Sequence, residues 1–172
     1  EAFLLNYHNQ PFTYGLRGRW LRYLAKHNEK KAFLANYRDG MGTTITCQYL
    51  QYQLQDAAQP DYWLDKVEPL WLAGDSQPDE CDPVFRRWQK AGRLTDELIL
   101  GRIEKAALVG NPKLVPYLKG KLPSSKHYLA DLWLQIRTSS SLVLKKSRFP
   151  LKNKEIESKV LAYGMEKLGW KD

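Results

Sequence analysis

Apolar residues recur at the spacing of an amphipathic helix along almost the whole 172-residue chain. Cys47, Leu50 and Leu54, for example, stand at i, i+3 and i+7, so they fall on one face of a helix. No segment bounded by turn residues alternates convincingly between apolar and polar positions, as a half-buried strand would. The pattern therefore predicts an all-α fold of about ten short helices, packed as antiparallel pairs in an irregular α-solenoid or superhelix.

The predicted helices cover most of the chain. We place them at about residues 13–26, 29–37, 60–73, 96–109, 112–119 and 153–168, with three more that begin at Thr43 or Thr44, near Cys81, and at Ser124 or Ser125. A further short helix is predicted within residues 138–146, a loop at 148–153, and the tail of a helix at Ala2 to Leu5. No linker-like segment interrupts this series, so residues 1–172 are expected to form a single domain.

Residues with special backbone or capping preferences predict where several helices begin and end. Asn28 and Thr95 are residue types that cap helix N-termini. Gly92 is expected to end one helix, and Gly74 to end another in a left-handed conformation. Pro69 removes a backbone donor inside the helix predicted at 60–73, so it should kink that helix or restart it.

The two cysteines both lie on apolar helix faces. Cys81 stands four residues before Phe85 and seven before Trp88, on the stripe of one predicted helix, and Cys47 lies on the stripe of another. Three interpretations remain open: a disulfide, two reduced thiols in the core, or a nucleophile, because both cysteines lie near predicted helix starts. A disulfide would contribute roughly 4 kcal/mol by the chain-entropy model and would indicate an oxidising compartment.

Charge is unevenly distributed along the chain. The formal net charge is +8, yet residues 56–82 hold eight acidic residues and one basic residue, so the basic excess lies on either side of them. A basic surface can bind nucleic acid, an anionic polymer or membrane headgroups. The basic residues are dispersed, and an ordinary solvated face is the competing interpretation. No stretch approaches the roughly 18 consecutive apolar residues of a membrane span, so no membrane-spanning helix is expected.

No catalytic or metal-binding motif stands out. A cluster of carboxylates at Asp79, Glu80 and Asp82 precedes a predicted helix, where acidic residues complement the positive end of the helix dipole. Residues 95–120 have the outline of a helix-turn-helix, which many short helical hairpins share. No cofactor, metal or nucleic-acid partner is expected. The histidines lack partners at metal-ligand spacing and are expected to be structural: His8, His27 and His127.

One segment carries a specific family resemblance. Residues 71–88 read WLxGxSQPxxCDxxFxxW, a pattern that resembles the N-terminal superhelical region of soluble lytic murein transglycosylases from Gram-negative bacteria. Cys47, followed by Tyr49, is similar to the first cysteine of that family in its C-x-Y setting. Further similar positions lie on both sides: Arg19, Trp20, Leu21, Leu24, Ala25, Arg102, Ile103, Gly110, Asn111, Leu114, Val115, Leu118, Gly120 and Pro123.

The resemblance implies part of a large periplasmic enzyme whose short helices close into a ring. The family's lysozyme-like domain cleaves peptidoglycan between N-acetylmuramic acid and N-acetylglucosamine and leaves a 1,6-anhydro ring, with one glutamate as acid and then base. The motifs expected there, reading like QESxW, GLMQIMP and AYNAGPG, do not occur in this sequence. The resemblance therefore implies a superhelical domain fragment, residues 1–172, without the catalytic domain, in which Cys47 and Cys81 form the family's disulfide.

The functional expectation is a non-catalytic part of a periplasmic enzyme from a Gram-negative bacterium. Its expected partner is the peptidoglycan glycan strand, reached through the parent enzyme, and the chain is expected to be a monomer. The candidates for a basic ligand face are Arg86, Arg87, Lys90 and Arg93, which would attract carboxylates of the peptide stems. The alternative function is a stand-alone α-solenoid module that binds a protein partner.

Overall fold

The computed structural model describes residues 11–169, with side chains from Thr13 onward. Every regular element in residues 11–169 is helical, so the prediction of an all-α fold is confirmed. The helix tail predicted at Ala2 to Leu5 and His8 lie outside the described residues. Two compact units are present. Unit 1 contains the described residues up to Trp71 together with Gln77–Arg93, and unit 2 contains Leu72–Ser76 and the residues from Leu94 onward.

Unit 1 is built from consecutive helices that pack side by side. Its helices are α1 (Pro11–Lys26), α2 (Lys30–Asn36), α3 (Thr43–Asp56), α4 (Pro60–Asp65), α5 (Glu68–Trp71) and α6 (Asp82–Lys90). A 3₁₀ turn at Asp79–Cys81 leads directly into α6. Helix α3 contacts α1, α2, α4 and α6, so it lies at the centre of the unit.

Two groups of buried side chains hold unit 1 together. Leu21, Phe33 and Ile45, from α1, α2 and α3, pack into one apolar cluster and are almost completely inaccessible. Trp71 packs against the rings of Phe85 and Trp88, with centroid distances of 5.4 and 5.8 Å. Burial of large apolar side chains is the main stabilising contribution to a fold of this kind. The helical periodicity of the sequence therefore identified the buried faces of unit 1.

Unit 2 is a second set of packed helices. Its helices are α7 (Asp96–Leu108), α8 (Val115–Lys119), α9 (His127–Thr138) and α10 (Lys154–Gly169), with 3₁₀ turns at Pro112–Leu114, Ser124–Lys126, Ser140–Leu144 and Lys146–Arg148. Helix α9 lies against both α7 and α10, and α10 packs on the 3₁₀ turn at Ser140–Leu144. The predicted inward positions of α9 are confirmed, since Leu129, Trp133 and Ile136 are at most 1% exposed.

Three of the predicted helix boundaries are confirmed in detail. The Thr95 hydroxyl accepts a hydrogen bond from the Leu98 amide at 3.3 Å and caps α7. Gly92 has a positive φ of 74°, as a glycine that terminates a helix commonly does. Helix α4 ends at Asp65 and α5 starts at Glu68, so Pro69 lies in the first turn of a restarted helix.

Two boundary predictions are wrong. Asn28 does not cap α2, because its own φ is +56° and Glu29 occupies the N-cap position without a side-chain hydrogen bond. Gly74 is not in a left-handed conformation. Instead, a Cβ added to Gly74 would lie 2.8 Å from the Lys105 carbonyl oxygen, and the Gly74 carbonyl accepts a hydrogen bond from Asn111 at 3.1 Å. A glycine is required here by close backbone contact within unit 2.

Candidate functional site

Cys47 and Cys81 form a disulfide in unit 1. Cys47 lies in α3, Cys81 ends the 3₁₀ turn before α6, and their Cα atoms are 4.9 Å apart. Both residues are completely buried. The disulfide interpretation is therefore confirmed, and the two alternatives, reduced core thiols and a catalytic nucleophile, are wrong because neither cysteine is free. The bond links α3 to the start of α6 across α4 and α5.

The acidic residues beside the disulfide occupy a helix start. Asp79 and Glu80 form the 3₁₀ turn, and Asp82 is the first residue of α6. All three are exposed to solvent. Within residues 11–169, no group of three or more His, Cys, Asp or Glu side chains could hold a metal ion. The positions of these carboxylates agree with the dipole-complementing role expected from the sequence.

The exposed face of α6 carries three basic residues. Arg86, Arg87 and Lys90 are exposed, whereas Phe85 and Trp88 of the same helix are buried. Among the residues whose side chains are described, no acidic group forms a salt bridge with these three. We call Arg86, Arg87 and Lys90 the α6 basic face. They present three positive charges to solvent from one short, rigid segment.

Arg93 is placed differently from the other three candidates. Its guanidinium forms ion pairs with Asp61 at 2.7 Å and Asp65 at 3.1 Å, both on α4. The hydrogen bond to Asp61, together with the charge of Asp65, raises the pKa of Arg93. The sequence grouped Arg93 with the α6 residues by proximity alone, but its charge is compensated by α4.

Unit 1 also contains an aromatic cleft that the sequence interpretation missed. The aromatic cleft is formed by Tyr37, Tyr49, Tyr62 and Trp63, has a volume of about 220 Å³ and is partly open to solvent. The rings of Tyr37 and Tyr49 stack in parallel with centroids 3.8 Å apart. Trp63 meets Tyr49 edge to face at 5.7 Å and Tyr62 edge to face at 4.8 Å. Buried Leu50 lines the same cleft.

Polar groups surround the aromatic cleft. Asp39, Thr46 and Lys66 also line it, and the Lys66 ammonium lies 4.7 Å from the centre of the Tyr62 ring. Burial raises the pKa of the Tyr37 hydroxyl, a hydrogen bond with Thr46 opposes that increase, and the Asp39 carboxylate adds to it. Tyr37 therefore stays protonated at neutral pH and keeps a hydroxyl hydrogen that can be donated.

Unit 2 contains a buried carboxylate that accepts several hydrogen bonds. Glu157 is 2% exposed and accepts hydrogen bonds from the amides of Leu151 and Asn153 at 2.8 and 3.0 Å. It also accepts one from the Tyr128 hydroxyl at 3.0 Å. Burial disfavours the charged form of Glu157, but these three donors outweigh it and lower its pKa. Burial and Glu157 together raise the pKa of Tyr128 to about 12.

The Glu157 network connects a loop of unit 2 to two helices. Its three donors come from α9 and from the loop before α10, so the carboxylate fixes that loop to both helices. Each of the two described histidines makes a contact within its own unit. His127 hydrogen-bonds the Leu122 carbonyl at 3.0 Å, and the His27 ring packs on Tyr23 with centroids 4.3 Å apart. Within the described residues, no helix is long and apolar enough to span a bilayer.

Comparison with curated proteins identifies relatives of this chain. No model of a protein family matches it. Over 130 residues it is 30% identical to the soluble lytic murein transglycosylase of Escherichia coli strain K12 and to that of Salmonella typhimurium. The matched region takes in 75% of this chain and 20% of each relative. The chain thus spans about a fifth of the length of the curated relatives it matches.

Solved structures give the same relationship. Lytic transglycosylase Slt of Pseudomonas aeruginosa, an inactive mutant, matches with a TM-score of 0.82 and 31% identity over 97% of this chain and 27% of that one. The 70-kDa soluble lytic transglycosylase in complex with bulgecin A shares the fold, with a TM-score of 0.75 and 24% identity over 99% of this chain and 28% of that one. The chain is homologous to a helical part of the soluble lytic murein transglycosylases.

Proposed function

We propose that this chain is a non-catalytic helical part of a periplasmic soluble lytic murein transglycosylase from a Gram-negative bacterium. The observation that carries the proposal is the match over 97% of this chain to 27% of a lytic transglycosylase, at 31% identity. The Cys47–Cys81 disulfide supports a location outside the reducing cytosol, because such bonds persist in oxidising compartments such as the bacterial periplasm.

In this proposal, bond cleavage belongs to another part of the parent enzyme. The parent would cut the glycan strand between N-acetylmuramic acid and N-acetylglucosamine and leave a 1,6-anhydro product. The motifs that the family resemblance associates with this step do not occur in the 172 residues. Purified chain should therefore release no anhydro-muropeptides from peptidoglycan. Chromatography of the soluble products with mass detection checks this, and release of such products would overturn the non-catalytic assignment.

The α6 basic face supports a binding role for this part of the enzyme. Arg86, Arg87 and Lys90 are exposed and form no described salt bridge, so their charges can attract the carboxylates of peptide stems. An exposed contact of this kind is weak on its own and is screened by salt. Three such contacts from one helix can act together on peptidoglycan, which carries many carboxylates. Arg93 contributes less in this proposal, because Asp61 and Asp65 already compensate its charge.

Sedimentation with insoluble peptidoglycan tests the binding role. We expect the chain to pellet at about 10 mM salt and to pellet much less at about 150 mM, where screening is stronger. The triple substitution Arg86→Ala, Arg87→Ala and Lys90→Ala should reduce the pelleted fraction several-fold. The matched control replaces three exposed lysines of unit 2 by alanine and removes the same charge: Lys145, Lys146 and Lys152.

The outcomes of this experiment separate the interpretations. An equal loss in both triple variants would mean that net charge, and not the α6 basic face, drives retention. No retention of the unmodified chain at low salt would remove the binding role and leave the alternative of a module that binds a protein partner.

A further inference from the structure

We propose that the aromatic cleft of unit 1 binds one N-acetylated hexosamine ring of a glycan strand. This inference rests on the proposed function, since it names the part of peptidoglycan that unit 1 would contact. The cleft is separate from the α6 basic face, whose expected targets are the acidic peptide stems. The two surfaces of unit 1 would thus recognise different chemical groups of the same polymer.

The aromatic side chains of the cleft remain accessible even though they pack on one another. Tyr62 is 57% exposed, and Tyr37, Tyr49 and Trp63 are half-buried. By contrast, the three tryptophans that serve the cores of the two units, Trp71, Trp88 and Trp133, are at most 2% exposed. Exposed aromatic surface gathered in a concave site is typical of a binding surface rather than of a core.

The rings of the cleft contact one another. The parallel stack of Tyr37 on Tyr49 and the edge-to-face contacts of Trp63 hold three rings in fixed orientations. The Lys66 ammonium lies over the fourth ring, 4.7 Å from the Tyr62 centroid. Side chains that are already ordered lose little conformational entropy on binding. A weakly interacting ligand such as a single sugar ring benefits most from this pre-organisation.

The chemistry of the lining matches that of an N-acetylated sugar. A pyranose ring has apolar C–H faces that gain by contact with aromatic rings, and hydroxyl and acetamido groups that need hydrogen-bond partners. The lining supplies an acceptor in the Asp39 carboxylate, a donor in the Lys66 ammonium and a hydroxyl in Thr46. The combination of apolar walls with a few polar groups is the usual composition of a small-molecule site.

The size of the cleft also favours a single ring. Its volume of about 220 Å³ lies below the range of about 300–1,000 Å³ that is usual for drug-sized ligands. One hexosamine unit of a longer strand suits such a volume, and the open side lets the neighbouring units continue outward. A proline-rich peptide, the other ligand that aromatic grooves commonly bind, is the competing occupant.

The test uses the whole chain labelled with ¹⁵N and titrated with chitotetraose, a neutral oligomer of N-acetylglucosamine. We expect the indole resonance of Trp63 and the amide resonances around Tyr37 and Tyr49 to shift in a saturable manner. Tyr62→Ala should weaken the apparent affinity by about five-fold or more, since it removes one aromatic wall. Tyr62 is exposed, so the substitution should leave the fold and the dispersion of the spectrum unchanged.

Tyr117→Ala is the matched control. Tyr117 is 58% exposed, against 57% for Tyr62. Lys121 lies 4.9 Å from the ring centre of Tyr117, and Lys66 lies 4.7 Å from that of Tyr62. Tyr117 belongs to unit 2 and does not line the cleft. Its substitution should leave chitotetraose binding unchanged. An equal effect of the two substitutions would overturn the assignment of the cleft.

The remaining outcomes distinguish this inference from the proposed function. Absence of saturable shifts with chitotetraose would overturn the sugar site, as would saturable shifts of the same resonances with a proline-rich peptide alone. If peptidoglycan still retains the chain through the α6 basic face in that case, the proposed function stands without the sugar site. The chain could instead bind chitotetraose while peptidoglycan retains it no better than the α6 triple variant. That result would remove the proposed role of α6 and leave the sugar site.

Discussion

Unit 1 and unit 2 are both built from short packed helices, yet different interactions fix their connections. In unit 1 a covalent bond joins Cys47 to Cys81, and aromatic rings fill the space around α3 and α4. In unit 2 the backbone of Gly74 approaches that of Lys105 and Gly110, and the buried carboxylate of Glu157 holds the loop before α10. Side-chain burial stabilises both units, and a few specific interactions determine where their loops lie.

The disulfide should give the largest effect. Replacing Cys47 and Cys81 together by serine is expected to lower the free energy of unfolding of unit 1 by about 4 kcal/mol, because the unfolded chain loses a 34-residue cross-link. Amide hydrogen exchange read residue by residue should show faster exchange in α3 and α6 and little change in α9.

A reducing agent provides the control for the disulfide prediction. It should destabilise unit 1 of the unmodified chain by a similar amount and have no effect on the double serine variant. Equal loss of protection in α9 would contradict the prediction that the bond stabilises unit 1 selectively.

Close backbone packing in unit 2 should give the next largest effect. A Cβ on Gly110 would lie 2.8 Å from the Cα of Gly74, and a backbone atom cannot move aside by changing a rotamer. Gly110→Ala should therefore cost up to about 3 kcal/mol in the stability of unit 2, measured by the same hydrogen-exchange experiment.

Gly15→Ala in α1 is the counterpart in unit 1. Among the described residues outside α1, no atom lies within 4 Å of a Cβ placed there, so alanine should stabilise the helix by about 0.5–1 kcal/mol. If both substitutions had the same sign, close packing would not be the reason for glycine at position 110.

The Glu157 carboxylate should give the smallest of the three destabilising effects, and one that depends on pH. Its folded-state pKa is lowered, so its contribution is present above the unfolded value of about 4.5 and is lost as the pH falls through the folded value. Glu157→Gln should cost about 1 to 2 kcal/mol at pH 7, because the amide serves the same donors less well.

Thermal melting followed from pH 7 to pH 3 measures this difference. The melting temperature of the unmodified chain should decrease more than that of the glutamine variant below about pH 4.5. Parallel curves for the two proteins would exclude Glu157 as the source of acid sensitivity in unit 2.

The helices could be predicted well from the sequence, because the spacing of apolar residues within a segment indicates a helix. The inward positions of α6 and α9 and the cap at Thr95 are properties of consecutive residues, so they could be recognised directly. The pairing of the cysteines could also be expected, although the residues alone left other interpretations open. In each case the deciding information lies within one or two helices.

The failures concern features that depend on residues distant in the chain. Gly74 follows a helix, and so its role was interpreted as a helix stop, but it is required by contact with Lys105, about 30 positions later. The aromatic cleft combines Tyr37, Tyr49 and Trp63, which belong to different segments and share no periodicity. The ion pairs of Arg93 with Asp61 and Asp65 of α4 likewise join residues that are far apart in the chain. Such juxtapositions exist only after the helices have packed.

The Cys47–Cys81 bond has a practical consequence for anyone who produces this chain. Expression in the reducing cytosol of a laboratory host would leave both cysteines as thiols. Purified unit 1 would then lack its cross-link. Thiols exposed during transient opening can then pair between molecules and form covalent dimers. Export of the recombinant chain with a cleavable leader, or refolding in a glutathione buffer, should therefore decide the yield of monodisperse material.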